Sequence, residues 1–416
     1  MAPFFVQQES NTIPYNLWLT NMCSYYIILL IKEVIQHMKI TKAYQFRLYP
    51  TKEQEVLIHK TFGCTRFLYN QMLEEKKKDK MLSKFDLFKK IPEYIKNYPF
   101  LSEVDSCSLR NSITDLMIGF DRYYKKLGGY PNYQKRGVKE SYRTNCNRSS
   151  YKGKEYASIE VDMKEKTITL PKLKKVKIRG YRKLEQLPGR ILNATIKQVG
   201  YKYYVSVCVE EELEIPVMSE KRAIGIDVGV KNMVVTSDGE YYENPEFLKK
   251  YERRIKGYQQ ELSRRKKGSK NYNNTLKKIE ELYRKLKNAR KKYLEEVVSK
   301  ILKGKEIILV ERLKVKEMLS KEYNPKSVRK SISNVSFQTI LQTLEYKCKW
   351  SGKTFHQIFT YYPSSQICSE CGHKDTIMKD YRKREYICPV CKIKIERDYN
   401  ASRNILQEGL RELKIA

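Results

Sequence analysis

The apolar positions of this chain follow two rhythms, which alternate along its length. "KAYQFRLYPT", Lys42 to Thr51, alternates aromatic or aliphatic with polar residues and ends at a proline, as a strand entering a turn does. Thr51 is placed to N-cap a helix, with Gln54 at the capping-box position. From about residue 52 to 126 the spacing is helical, with breaks near Pro92 and Pro99. A basic, aromatic loop follows, "GGYPNYQKRG" (Gly128 to Gly137). From about Ser141 to Glu212 the pattern becomes short strands: "ASIEVDM", "TITLP", "KKVKIRG" and "ATIKQVGYKYYVSVCVE". In "KVKIR", Lys175, Lys177 and Arg179 share one face while Val176 and Ile178 share the other. This stretch predicts a small β-barrel-like unit with a basic face, and "IPVMSEKR" is the linker out of it.

Three short extended segments come next: Ala223–Val228, Lys231–Thr236 and Glu240–Tyr242. The turn residues "SDG" join the last two, predicting an antiparallel meander. A helical hairpin broken at "KKGSKN" follows, its second arm placing Ile279, Leu282, Leu286, Tyr293 and Val297 at helical spacing. "EIILVE" (Glu306 to Glu311) reads as a buried strand ending in acid, "SFQTILQTLEYKCKWSG" as an amphipathic helix and "TFHQIFTYY" as another strand. After a cysteine-rich insert, "RDYNASRNILQEGLREL" is a closing helix. Meander, helix, acid-ended strand, helix, strand, helix is the order of an RNase H-like α/β fold. The first residues stand apart: "NLWLTNMCSYYIILLI" is apolar but interrupted, short for a membrane span and without the basic flank of a signal peptide. The fold-like pattern begins after Met38, so residues 1–38 are expected to be a disordered leader or the product of a mis-assigned start.

Charge changes the picture. The 416 residues suffice for two or three domains with cores of their own, and they carry 83 Lys plus Arg against 48 Asp plus Glu, a formal net charge of +35. Such an excess repels itself unless a polyanion offsets it. Nucleic acid is the first candidate, because counterion release rewards many spread Lys and Arg contacts. An anionic membrane fits less well, since no sustained basic amphipathic helix is present. The 33 tyrosines suit base stacking, although ordinary packing accounts for most. Six of the ten cysteines (Cys23, Cys64, Cys107, Cys146, Cys208, Cys348) are scattered and four are tightly paired, which suggests a reducing compartment and one metal site.

Two constellations carry candidate chemistry. Asp227 lies in an apolar strand between Gly225 and Gly229, and a buried lone carboxylate is costly unless paired, hydrogen-bonded or metal-bound. Glu311 ends a later strand, and Asp398 opens the final helix with N-cap geometry, where the helix dipole favours negative charge. Each has a bland reading, as turn acid, strand-end acid or helix cap, and Asp238, Glu240 and Glu396 are rivals. Together they can meet at one sheet edge and hold two Mg²⁺ ions for phosphodiester cleavage. The second constellation is "CSEC" and "CPVC", sixteen residues apart. Cys368, Cys371, Cys388 and Cys391 have the spacing of a closed, tetrahedral structural Zn²⁺ site. His373 lies beside the second ligand and could compete, while His37, His59 and His356 lack ligand spacing.

With these residues in view, the chain resembles the TnpB proteins encoded by bacterial and archaeal insertion sequences, relatives of the compact type V CRISPR effectors. The similar stretches are "KAYQFRLYPTKEQ", "FGCTRFLYNQML", "GIDVGVKNMVV", "ILVERLKV", "YYPSSQICSECGHK", "YICPVC" and "ERDYNASRNIL", spanning about residue 39 to the C-terminus. The resemblance implies RNA-guided cleavage of double-stranded DNA, beside a short motif, by a RuvC-like nuclease domain. The guide RNA, from the transposon end, would bind the basic N-terminal lobe, with target choice delegated to base pairing. The family's catalytic, Mg²⁺-binding acids fall on Asp227, Glu311 and Asp398, and its zinc cysteines on the four named above. Its architecture implies a wedge-like β-barrel domain at 39–51 and 128–215 and a helical recognition lobe at 52–127. It further implies a nuclease domain at 220–362 and 396–416, with a zinc-ribbon insert at 363–395. Lys392 stands where the family commonly has Gly. The alternatives are a compact type V CRISPR effector, a non-cleaving RNA-guided regulator of transposition, and a conventional strand transferase; the last lacks a Tyr or Ser recombinase constellation. The expected setting is the prokaryotic cytoplasm, at the nucleoid and away from membranes.

Overall fold

The computed structural model describes residues 35–137, 140–151, 153–181, 184–216, 222–245, 247–313, 318–320, 329, 337–375 and 383–415. The expected leader, residues 1–34, and most of the "IPVMSEKR" linker lie outside the described residues. The chain divides into two compact units, one spanning Lys39–Glu212 and the other containing Leu213–Ala416. No described helix is long and apolar enough to cross a membrane.

The first unit starts from β1 (Ile35–Tyr49), which begins upstream of Met38 and so overruns the expected end of the leader. Thr51 and Gln54 form the expected capping box on α1 (Lys52–Lys78). The helices α2 (Lys84–Lys89), α3 (Ile91–Asn97) and α4 (Ser106–Tyr124) follow, with a 3₁₀ turn at Pro99–Glu103. The break expected near Pro92 falls at Lys90, between α2 and α3, and Pro92 sits in the first turn of α3, where its missing N–H needs no partner. Leu68, Met72, Leu87, Leu109 and Ile113 close a core among these helices.

The strands β2 (Ser141–Asn145), β3 (Arg148–Tyr151), β4 (Lys154–Ala157), β5 (Glu160–Asp162), β6 (Thr167–Leu170), β7 (Lys174–Arg179), β8 (Arg190–Val199) and β9 (Lys202–Pro216) complete the unit. Seven strands pair in the order β2-β8-β9-β1-β7-β6-β5, and β3 and β4 form a separate hairpin. Among the described residues no pairing of β2 with β5 closes this sheet, so the expected barrel is an open sheet. One apolar core nevertheless collects side chains from both flanks, Tyr142 of β2 and Ile168 of β6 among them. Val176 and Ile178 point inward and the neighbouring Lys175, Lys177 and Arg179 outward, as the alternation predicts.

The second unit is built on β10 (Ala223–Asp227), β11 (Asn232–Thr236), β12 (Tyr241–Glu243), β13 (Ile307–Glu311) and β14 (Thr354–Ile358), in the order β12-β11-β10-β13-β14. The first three are antiparallel, whereas β13 and β14 run parallel to β10. Between them come α5 (Phe247–Ser263), α6 (Lys270–Ile301) and α7 (Phe337–Trp350). The short strands β15 (Glu385–Ile387) and β16 (Lys394–Glu396) lead into α8 (Arg397–Glu412). Val297, Val298, Phe337 and Leu344 cover one face of the sheet at Ile226 and Val310. Leu294 is the buried position of its α6 turn, while the neighbouring Tyr293, expected inward, is only partly buried and donates its hydroxyl to the Glu243 carbonyl at 2.6 Å.

The opposite face belongs to α8, and two glycines let it approach. A Cβ on Gly225 would stand 2.2 Å from the Ser402 carbonyl oxygen and 2.6 Å from the Leu406 nitrogen. A Cβ on Gly409 would stand 2.7 Å from a methyl of Leu309. Helix backbone therefore lies directly on strand backbone at Gly225, where no side chain can yield. Gly225→Ala is expected to destabilise the second unit by about 1–3 kcal/mol, measured by denaturant unfolding, and to cost more than Gly409→Ala, whose obstacle is a movable leucine.

Candidate active site and metal centre

Asp227 is the last residue of β10, and Glu311 the last of β13. The two strands are parallel and pair Ile226 with Val310, so the acids end neighbouring strands side by side. The seat of α8 on Gly225 brings its first turn to the same edge. There an Asp398 oxygen lies 3.9 Å from where a Cβ on Gly229 would be. The Asp398 side chain is 13% exposed and faces Arg384 Nη1 at 3.4 Å.

Burial, then the negative charges of Asp398 and Glu311, push the Asp227 carboxyl up to about 8, with Arg397 opposing. Burial pushes Glu311 up to about 7. Asp227 and Glu311 form no ion pair among the described residues, and Arg397 only partly offsets the charge at Asp227. A partly buried, oxygen-only set of carboxylates offers the donor chemistry that a hard divalent cation such as Mg²⁺ prefers.

The rival acids are committed elsewhere. Asp238 pairs with Lys305 at 2.5 Å, and Glu240 accepts the Tyr242 hydroxyl at 2.8 Å. Glu396, not Asp398, is the N-cap of α8: its side chain accepts the Tyr399 N–H at 2.9 Å. The expectation that Asp398 caps the helix is corrected accordingly. β16 runs straight into α8, which shifts the helix start upstream and leaves Asp398 in the first turn with its oxygens uncommitted to the backbone.

The four cysteines converge. The sulfurs of Cys368, Cys371, Cys388 and Cys391 all lie within 4.8 Å of one another, the one such group of potential ligands among the described residues. Cys368 and Cys391 are 3.5 Å apart, as are Cys371 and Cys388. The two knuckles repeat one pattern: Gly372 N–H donates to the Cys368 carbonyl at 2.9 Å and Lys392 N–H to the Cys388 carbonyl at 3.0 Å. Burial alone would raise the Cys388 thiol, but N–H groups of Cys391 and Val390 bring it down to about 6. Four sulfurs packed this tightly, with amides turned toward them, fit a tetrahedral Zn²⁺. His373 does not compete, contributing its carbonyl to the Cys368 N–H at 2.9 Å. His59 bonds Tyr203 and His356 bonds Glu412.

What the sequence reading missed is the attachment of this module to α8. Asn400 accepts the Ser369 N–H at 2.9 Å and donates to the Ile367 carbonyl at 2.6 Å. Asn404 donates to the Ser364 and Ile367 carbonyls at 2.7 and 2.6 Å, and Gln407 to the Ser369 carbonyl at 3.0 Å. Both asparagines are fully buried. The available signal was two asparagines four residues apart in a helix, where Asn is a poor former and needs a reason to be.

Known proteins resemble this chain in sequence. A family model described as "Probable transposase" matches residues 206–322, one described as "Cas12f1-like, TNB domain" matches 337–405, and one described as "Helix-turn-helix domain" matches 38–79. The last region is here a strand followed by the single helix α1. A Streptomyces pristinaespiralis protein named "Putative RNA-guided DNA endonuclease" is 28% identical over 380 residues, covering 89% of this chain and 90% of that protein. The "Putative RNA-guided DNA endonuclease InsQ" of Escherichia coli (strain K12) is 27% identical over 392 residues, covering 89% and 93%. These matches support the resemblance of the chain to the TnpB family. A cryo-EM structure of a Cas12f1–sgRNA–target DNA complex aligns at a TM-score of 0.49 with 16% identity, over 88% of this chain and 98% of that one.

Against the TnpB pattern, Lys392 is the clear departure, and its backbone shows the cost. Its φ is +60°, matching the +74° of Gly372 in the other knuckle. Lys392→Gly should stabilise the module by about 1 kcal/mol, read as slower zinc transfer to a chromogenic chelator.

The acids give a pH dependence of definite sign. Unfolded, Asp227 and Glu311 lose their protons near 3.8 and 4.5; folded, they hold them to about 8 and about 7. Over that window the native state binds the extra protons, so stability falls as pH rises through it. In zinc-loaded, magnesium-free protein, Asp227→Asn should therefore raise Tm by a few degrees near pH 8.5 and by much less near pH 5. An equal effect at both would contradict the site's electrostatics.

Proposed function

We propose that the chain is a transposon-encoded, RNA-guided DNA endonuclease that cuts target DNA beside a short motif, with Asp227, Glu311 and Asp398 as its catalytic carboxylates. The observation that supports this reading is the placement of two acids at the ends of paired neighbouring strands, with a third in the first turn of α8 whose charge acts on Asp227. The order β12-β11-β10-β13-β14, in which β11 alone runs antiparallel to the other four, supports an RNase H-like, RuvC-type nuclease core. We assign that core to residues 220–362 and 396–416 and a zinc-ribbon insert to 363–395. Residues 39–51 and 128–215 form the wedge-like domain and 52–127 the recognition lobe, within the first compact unit.

Bound Mg²⁺ would supply an activated water and charge neutralisation at the leaving oxygen. The chain's own part is to hold the oxygens in place. Asp227 and Glu311 are fixed by strand pairing, and Asp398 by helix contact at Gly225. Arg384 faces Asp398 from the zinc module and becomes available to a phosphate oxygen once a cation takes its place. The Cys₄ site, holding Zn²⁺, stiffens the loop that Asn400 and Asn404 grip, and thereby the helix carrying Asp398.

The basic face of the first unit suits a guide RNA from the transposon end. Lys175, Lys177 and Arg179 are exposed there, and the Arg47 guanidinium lies 5.5 Å from the Tyr49 ring and 5.2 Å from the Tyr204 ring. Such alternation of cation and ring provides both phosphate contact and a stacking platform. Retention of all three acids favours cleavage over a purely binding role. The nuclease would act on DNA of the prokaryotic nucleoid.

Protein co-expressed with its element's RNA should cut matched DNA in Mg²⁺. Asp227→Ala and Asp398→Ala should each reduce cutting by at least about 10²-fold, with guide-RNA affinity unchanged within about twofold in a filter-binding assay. Full cutting by either variant would refute the assignment of that acid, and sequencing the RNA that co-purifies tests the partner directly.

A further inference from the structure

A cavity of about 690 Å³ opens in the second unit, between α6, α7 and the connection from β12 to α5. This volume falls within the ~300–1,000 Å³ of small-molecule sites. Met233, Leu286 and Leu294 are buried residues of its wall. Tyr283, Tyr293 and Tyr346 add rings to the lining. Tyr293 is committed through its hydroxyl to the Glu243 carbonyl, and Tyr346 is braced by Trp350 at 4.6 Å between ring centroids.

The rim is cationic. Tyr283, Lys287, Arg290 and Lys291 follow one another along a single face of α6 and all line the cavity. Lys291 is partly neutralised by Glu295 at 3.6 Å. Arg290 and Lys287 have no ion pair among the described residues. Arg290 is half-buried, and burial lowers its pKa. A half-buried guanidinium with no counter-charge is costly, and an anion from outside would offset that cost. Gln342 adds an exposed amide at the edge.

Inorganic phosphate would leave the apolar wall uncovered, and an acyl chain would leave the amide unused. A nucleotide uses all three features: ring faces for the base, an amide for its edge and guanidinium with ammonium for its phosphate. We propose that this cavity holds one unstacked nucleotide, its base against Tyr283 and Tyr346 and its phosphate on Arg290 and Lys287. The proposal rests on the nucleic-acid reading above and adds a contact separate from the three acids.

The nucleotide can belong to a bound single strand or be free in solution. Full-length protein irradiated with a short single-stranded RNA containing 5-iodouridine should crosslink within the peptides carrying Tyr283 or Tyr346. Arg290→Met should weaken binding of that strand about tenfold. Thr339→Trp, which fills the cavity without touching its charge, should abolish the crosslink. If uridine monophosphate alone protects these peptides and strand affinity is equal in the variants, the site stands and its occupant is the free nucleotide. No crosslink and no protection, with guide-RNA binding and DNA cutting intact, would overturn the cavity assignment alone. Failure of the unaltered protein to bind any RNA would overturn the functional reading and this inference together.

Discussion

The contact of α8 with β10 at Gly225 governs the candidate site. Helix and strand meet there backbone to backbone, closer than any side chain permits, and the first turn of the helix is thereby set beside the ends of β10 and β13. Parallel pairing fixes Asp227 against Glu311; only the helix contact can add Asp398. Burial and the neighbouring acids raise the proton affinity of Asp227, burial raises that of Glu311, and the native fold tolerates the resulting penalty. Packing energy elsewhere in the second unit, chiefly the apolar layer under α6 and α7, must hold the acids together when no cation does.

The cysteine module extends the same logic. A small β-rich insert has too little apolar surface to order itself, and a metal held by its four converging cysteines would compensate for the missing core. Its order is transmitted through buried amides: Asn400, Asn404 and Gln407 satisfy loop carbonyls and an N–H that would otherwise be stranded. The insert also feeds directly into α8 through β16, so the metal centre acts on both ends of the helix's first turns.

The parts of this arrangement that were legible in the sequence are those written in spacing. Alternation in "KVKIR", the capping box at Thr51 and the two Cys-x-x-Cys pairs each encode a local rule, and the structure follows each. The parts that were not legible depend on distant partners. The cap of α8 falls on Glu396 because the preceding strand delivers the chain there. Nothing local distinguishes an open seven-stranded sheet from a closed barrel, since that depends on whether β2 reaches β5. Arg384 carried no signal and the two asparagines only that of poor helix formers, because their roles exist only once the insert folds back on α8.

β1 is the first strand made and yet lies in the interior of its sheet, between β9 and β7. During synthesis it has no hydrogen-bonding neighbour until β7 emerges, long after the intervening helices. Those helices, with a core of their own, can consolidate meanwhile, while an unpaired aromatic strand waits exposed. A transcript cut short before β7 would thus yield a helical fragment trailing a sticky edge, a species for chaperones or proteases to clear before a defective nuclease accumulates.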